Sequence, residues 1–314
     1  MESCFPKKNC FGCRKSGQAV QNSEKKSFFV LDFGDRFLYY EKEFSVSEGI
    51  AVCFPFIQSL EKEYRMEPLR TSHIVYDPAW GVEPIPEIPP DTVYTIFSKT
   101  AKQNPQKTAL IFMGKKISFA ELQNLVTRFA SGLLKMGVRP GDRVASLLPN
   151  SPQQVLAFLA VNRIGAIYVP INVMYKEEEL SYVLSDSGAT VLISLDLFLN
   201  NFLAIQKDTA ISTVVVSRIS DFLPFPINFL YSIKSRLDKS HVAVSYNATL
   251  RPFRSVFAEP VPELNQLNPG PEDTAMILYT AGTTGKSKGV MLTNRNFVYN
   301  SINQVKNFHY TFAR

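Results

Sequence analysis

No apolar run in this chain approaches the roughly 18 residues that a membrane-spanning helix needs. The longest stretch without charge, residues 144–162, is broken by Pro149, Asn150, Ser151, Pro152, Gln153 and Gln154, the pattern of a strand, a loop and a helix start. The N-terminus lacks the apolar core of roughly 7–15 residues that marks a secretory signal, so a cytoplasmic protein is expected. Histidine is scarce: His73, His241 and His309 stand far apart without metal-ligand spacing and read as structural or exposed. The G-x-S-x-G turn of serine hydrolases is missing. Cysteine is limited to Cys4, Cys10, Cys13 and Cys53. Cys10-x-x-Cys13 with Cys4 nearby makes Cys4, Cys10 and Cys13 candidate zinc thiolates, with Cys53 a distant fourth, but a strong zinc pattern needs a second close pair. The plain alternative is a reduced terminus that binds no metal. Acidic residues are outnumbered, 28 against 34 basic, for a net charge of +6. The positive charges are scattered and not interleaved with aromatics, so nucleic acid is not an expected partner, whereas an anionic small ligand or an anionic membrane surface is compatible.

The 314 residues, 45% hydrophobic and 20% charged, fit an ordinary globular chain and exclude a disordered or fibrous one. Residues 1–74 differ from the rest. They hold all four cysteines, segregate their charge and show no sustained periodicity, with strands expected within residues 28–40 and a short helix over 57–65. Pro78, Pro84, Pro86, Pro89 and Pro90 then mark an extended connector, because proline lacks an N–H and restricts its predecessor. The boundary is placed near residue 75, giving an unassigned extension, 1–74, and a regular part, 75–314.

In the regular part, Asp91 is read as the cap of a helix with Val93, Ile96, Phe97 and Ala101 on its apolar face. Residues 108–113 and 116–119 read as strands about a turn at Gly114. Ser118-x-x-Glu121 reads as a capping box, opening a helix with Leu122, Leu125, Phe129, Leu133 and Leu134 on one face and a stop at Gly137. Residues 144–148 form a buried strand, Ser151 caps and Pro152 opens the next helix, and Gly165 follows its end. Strands at 166–169, 190–194 and 213–217 alternate with helices at 176–185 and 197–206; Glu177, Glu178 and Glu179 read as a solvated first turn favoured by the helix dipole. Short, continuously apolar strands alternating with amphipathic helices indicate an α/β fold, a mostly parallel sheet covered on both faces. Residues 219–239 break this rhythm with large apolar side chains followed by Lys234, Arg236 and Lys239. They read either as a surface helix packed on its own domain or as an amphipathic segment making peripheral membrane contact.

The chemistry-bearing segment follows a strand over 273–279. Thr280-Ala281-Gly282-Thr283-Thr284-Gly285-Lys286-Ser287-Lys288-Gly289 combines glycines that let backbone N–H groups approach a ligand with hydroxyl and ammonium donors, the parts of a phosphate cradle. A Walker loop requires G-x-x-x-x-G-K-[ST] followed directly by a helix. Here the first glycine is Thr280, and the residues after Lys288 look like strand, with Thr293 placed to cap a helix beyond it.

This run closely resembles the signature loop of the adenylate-forming enzymes, the AMP-dependent synthetase and ligase family. Ser118-Phe-Ala-Glu-Leu122, Gly137-Val-Arg-Pro-Gly-Asp-Arg-Val144, Leu148-Pro-Asn-Ser151 and Gly165-Ala-Ile-Tyr-Val-Pro-Ile-Asn172 resemble that family's earlier blocks in the same order. Pro224-Phe-Pro-Ile-Asn-Phe-Leu-Tyr231 looks like an insertion of the bacterial long-chain fatty acyl-CoA ligases, so the chain is most similar to the N-terminal part of such an enzyme. The resemblance implies ATP, Mg2+ and coenzyme A as co-substrates and a fatty acid as substrate, activated first to an acyl-adenylate and then to an acyl-CoA. It implies ATP-phosphate binding by Thr280, Ala281, Gly282, Thr283, Thr284, Gly285, Lys286 and Lys288, with Lys288 as the loop's point charge and Thr280 a candidate Mg2+ ligand. Two positions depart from the family pattern: Ser287 replaces a common proline and Asn294 a common histidine. The family's later motifs, including the catalytic lysine of a mobile C-terminal domain, have no counterpart after Gly289, so the chain is expected to be a truncated, catalytically incomplete form. The alternatives are a non-catalytic nucleotide- or acyl-binding module, adenylation of another carboxylic acid, and a Walker-type NTPase or kinase.

Overall fold

The computed structural model describes residues 30–32, 37–39, 87–237, 244–280 and 286–312. The helix expected at 57–65, the boundary near 75, Cys4, Cys10, Cys13 and Cys53 lie outside the described residues. Two short strands, β1 (Val30–Asp32) and β2 (Phe37–Tyr39), pair antiparallel, as read for residues 28–40. The regular part opens with α1 (Val93–Gln103). Its N-cap is Thr92, one residue later than expected: Thr92 Oγ1 accepts from Thr95 N at 3.1 Å, and Thr95 Oγ1 accepts from Thr92 N at 2.7 Å. Asp91 instead accepts the Thr95 hydroxyl at 2.9 Å and the Lys99 ammonium at 3.0 Å.

β3 (Thr108–Phe112) and β4 (Lys115–Ser118) form a hairpin whose two turn residues, Met113 and Gly114, both have positive φ (50° and 85°). That combination gives a two-residue turn the twist its strands require. α2 (Phe119–Lys135) begins at Ser118, whose Oγ accepts from Glu121 N at 3.1 Å. Only this half of the expected capping box forms. β5 (Arg143–Leu147), α3 (Pro152–Arg163), β6 (Ile167–Pro170), α4 (Glu177–Ser187) and β7 (Val191–Leu195) then alternate as read. Ser151 takes the N-cap position of α3 with extended backbone, yet its buried hydroxyl has no hydrogen-bond partner; Pro152, which needs no N–H acceptor there, starts the helix. The helix expected over 197–206 is shorter: α5 (Leu199–Ile205) lies between two 3-10 turns. β8 (Thr213–Ser217), a 3-10 turn over Ile219–Phe222, α6 (Ile227–Leu237), β9 (Leu250–Pro252), α7 (Phe253–Val256), β10 (Thr274–Thr280), β11 (Lys288–Thr293) and α8 (Asn294–Phe312) complete the order.

Seven strands make one sheet in the order β11-β10-β6-β5-β7-β8-β9, parallel except for the β10–β11 pair. Successive side chains leave opposite faces of a strand. Val144, Tyr168, Ile193 and Val215 therefore join the core beneath α1, α2 and α3, while Ala145, Val169, Leu192, Val214 and Val216 join the core beneath α4 and α5. This double burial explains why the strands read as unbroken apolar runs. On the first face the fully buried Tyr168 spends its hydroxyl on Ser146 Oγ at 2.8 Å, and burial pushes its ionisation well above the ordinary value.

One close approach holds the α2 layer. Phe129 packs on Phe253 and Phe257 at ring-centroid distances of 4.9 and 5.3 Å. This seats α7 against Gly132, where a Cβ would lie 1.6 Å from the Val256 carbonyl oxygen. Alanine normally favours a helix interior over glycine by about 1 kcal/mol. Here the contact is with backbone, which cannot swing aside, so overpacking decides the sign. Gly132→Ala is expected to lower the unfolding free energy by about 3 kcal/mol in urea denaturation; a neutral or stabilised variant would show that α7 is not seated on α2.

Candidate phosphate-binding site

The candidate loop leaves the carboxyl end of β10, the edge of the sheet at which β5, β6, β7 and β8 also end. In open parallel sheets ligands bind at that edge, because the connections leaving it are free to vary over a rigid base. β10 reaches it beside β6, with Met276 in register with Tyr168, and returns as β11 with Tyr279 opposite Gly289 and Thr280 opposite Lys288. Ala281, Gly282, Thr283, Thr284 and Gly285 lie outside the described residues. Their two flanks are described. Thr280 and Lys288, directly opposite in the ladder, share one face of the hairpin and both are exposed. A hydroxyl and an ammonium group thus stand together where the loop begins and ends. Chain continuation as strand at Lys288 matches the sequence reading; a Walker loop opens a helix at that point.

The other face of the hairpin anchors it. Tyr279 projects toward α4, where its hydroxyl donates to Asp186 Oδ2 at 2.6 Å and its ring meets Tyr182 edge-on at 6.5 Å. Burial, and then the adjacent Asp186 carboxylate, raise the Tyr279 hydroxyl above the ordinary value, so it remains a donor. The ring also occupies the space in front of Gly289: a Cβ there would lie 2.9 Å from Ile277 Cγ2 and 3.1 Å from Tyr279 Cζ. Lys286, at the end of the loop, places its ammonium 5.1 Å from the Tyr182 ring centroid, a cation–π contact. The two lysines therefore differ. Lys286 is drawn to the α4 face, and Lys288 sits with Thr280 on the opposite one.

The hairpin base is closed by Asn294, 3% exposed. Its Nδ2 donates to the Gly270 and Asp273 carbonyls at 3.0 and 3.3 Å, and its Oδ1 accepts from Val93 N at 3.1 Å, tying β10, α8 and the start of α1 together. A residue that reads from sequence as a departure from a family histidine is here a buried pin. Thr293 caps α8 as expected, its Oγ1 accepting from Asn296 N at 3.3 Å while Asn296 Oδ1 accepts from Thr293 N at 2.9 Å. Tyr279, Tyr182 and Asp186 escaped sequence reasoning. The signal available was register: a glycine directly opposite an aromatic in an antiparallel pair marks a ring folded over it.

Among the described residues no group of three His, Cys, Asp or Glu side chains could hold a metal ion. The exposed Thr280 hydroxyl offers one neutral oxygen, which suits a cation such as Mg2+ that keeps most of its shell as water and phosphate oxygens.

A doubly covered parallel sheet with a Thr-, Gly- and Lys-rich segment leaving its carboxyl edge is the kind of base on which open α/β sheets hold ligands. Comparison with known proteins makes it specific: the AMP-binding enzyme family matches residues 97–313, and the chain belongs to that family. A long-chain-fatty-acid–CoA ligase of Bacillus subtilis is 36% identical over 216 residues, covering 68% of this chain and 38% of the relative. A ligase of the same name from Escherichia coli O6:H1 is 33% identical over 226 residues, covering 68% and 39%. The chain thus spans about two fifths of the length of these relatives. An anthranilate CoA ligase solved with anthranoyl-AMP shares the fold, with a TM-score of 0.52 at 22% identity over 66% of this chain and 35% of that one.

The anchoring face yields a test. Tyr279→Phe is expected to cost about 1 kcal/mol through the lost bond to Asp186, and Gly289→Ala about 1–2 kcal/mol through the displaced ring. In a urea double-mutant cycle with Tyr279→Ala, the Gly289→Ala penalty is expected to shrink by at least about 0.5 kcal/mol. Simple additivity would mean that the ring does not occupy the glycine's place.

Proposed function

We propose that this chain carries the ATP-polyphosphate site of a long-chain fatty acid–CoA ligase. In that reaction a fatty-acid carboxylate oxygen attacks the α-phosphorus of ATP, the bond to the β-phosphate oxygen breaks, and acyl-adenylate and pyrophosphate result. The thiol of coenzyme A then attacks the acyl carbon and AMP leaves. The observation that carries the reading is the pairing of Thr280 with Lys288 at the carboxyl edge of the sheet, in a chain of the AMP-binding enzyme family. The named relatives support a long-chain acid as the substrate.

This chain's residues have a defined physical task. Lys288 places a point charge beside the β- and γ-phosphates and offsets charge as pyrophosphate departs. Thr280 donates a hydrogen bond or lends its oxygen to Mg2+, which when bound supplies charge neutralisation between the phosphates. Tyr279, Asp186 and Tyr182 hold the hairpin so that both groups stay at the loop's mouth.

Two measurements test the reading. Titration calorimetry with ATP and Mg2+ should show binding that Lys288→Ala weakens roughly ten- to a hundredfold, the range for a lost hydrogen bond to a charged group. Incubation with ATP and Mg2+ in the absence of any acid should release no γ-phosphate. Unchanged ATP binding in Lys288→Ala would overturn the loop assignment. Release of γ-phosphate without any acid would favour phosphoryl-transfer chemistry instead.

A further inference from the structure

Five of the twelve large apolar side chains that stand exposed among the described residues fall within residues 225–233: Phe225, Ile227, Phe229, Leu230 and Ile233. Phe225 is 84% exposed and Phe229 62%. Isolated exposed apolar residues are ordinary on a soluble surface; a cluster is not. The segment is nevertheless firmly seated. Phe222 and Leu223, just before it, are buried, and the Phe222 ring meets Phe253 edge-on at 6.3 Å beneath the Lys115 ammonium. Asp221 accepts from Ser217 Oγ at 3.1 Å and Arg254 Nε at 3.0 Å. Tyr231 is the half-buried side of α6, its hydroxyl raised above the ordinary value by burial and by the Asp196 carboxylate near the end of β7.

Helical geometry sorts the rest. At 3.6 residues per turn, positions 229, 230 and 233 fall in one arc of about 100°, with position 231 on the opposite side. Positions 234 and 236 border that arc on either flank, and they are Lys234 and Arg236. α6 carries no acidic residue. The nearby charges are already matched, Asp221 with Arg254 and Asp196 with Arg218. An apolar stripe edged by basic positions is the pattern of a segment lying in a bilayer interface. A standard protein interface takes roughly 800 Å² from each partner, more than a nine-residue projection offers, whereas an interfacial helix needs only its own stripe.

We infer that residues 225–237 form a docking surface for an anionic lipid bilayer, with Phe225, Ile227, Phe229, Leu230 and Ile233 entering the acyl boundary and Lys234 meeting the headgroups. The surface binds peripherally: among the described residues no helix is long and apolar enough to cross a membrane.

The test is co-sedimentation of the full chain with vesicles of three parts phosphatidylcholine to one part phosphatidylglycerol, with circular dichroism to confirm that each variant is folded. The chain should pellet with these vesicles, and roughly tenfold less with pure phosphatidylcholine. The triple variant Phe229→Glu, Leu230→Glu, Ile233→Glu should reduce partitioning at least roughly tenfold. Lys234→Glu should reduce the advantage of phosphatidylglycerol at least roughly threefold. Met174→Glu, at a 77% exposed position away from the patch, should change nothing. No pelleting, or equal loss in Met174→Glu, would overturn the proposal. So would self-association that the triple variant removes while vesicles bind nothing, which would assign the patch to a second copy of the chain.

Discussion

Parallel pairing is the constraint on which the rest of this structure depends. Strands that run the same way must be joined by crossovers, crossovers cover the sheet, and a covered sheet must be apolar on both faces. Val214, Val215 and Val216 show the rule in three residues, turning alternately to the two cores. The rule also fixes the address of the chemistry. β5, β6, β7, β8 and β10 all finish at one edge, and the loops leaving it stand on a base too well packed to shift. Tyr168 illustrates how little polar freedom that base allows: its buried hydroxyl is tolerated because Ser146 on the neighbouring strand receives it.

The β10–β11 hairpin departs from the rule and uses the departure. As the antiparallel end of the sheet it has one face against α4 and one face largely open, and its side chains divide accordingly. Tyr279 works on the covered face, where a ring over Gly289 and a bond to Asp186 fix the hairpin. Thr280 and Lys288, next in register, are thereby held on the other face. Gly289 thus has two reasons to lack a side chain. It lets the Tyr279 ring lie down, and that ring in turn sets the face on which the neighbouring lysine stands.

Much of this was legible in the sequence, for identifiable reasons. Periodicity located the helices because an apolar stripe has nowhere to go but a core, and every residue named for the face of α1 is buried. Hairpin and helix ends marked by Gly114, Gly137 and Pro152 were legible because their backbone chemistry is local. What failed was non-local or depended on the fate of a single hydrogen. Ser151 has the right type and position for a cap but makes no cap bond. Thr92, not Asp91, accepts the Thr95 N–H in the first turn of α1, a difference of one residue that two adjacent capping side chains cannot reveal. Asn294 could not be read as a pin, because its partners, Val93 and Gly270, lie 201 and 24 residues away along the chain.

The two proposals meet at the carboxyl edge of the sheet. α6 follows the end of β8 and keeps Tyr231 near Asp196 at the end of β7, while the loop of Lys288 follows β10. Between β8 and β10 lie four strand spacings, on the order of 19 Å. Each CH2 of an acyl chain favours an apolar phase by about 0.8 kcal/mol, so a long-chain acid resides in the bilayer and seldom in water. A ligase for such an acid gains by drawing substrate from the membrane, provided that the surface touching lipid and the loop touching ATP belong to the same rigid edge. An aryl or short-chain acid, being soluble, would make no such demand. The exposed stripe on α6 is therefore an argument about the substrate as well as about location, and it is independent of any resemblance in the loop.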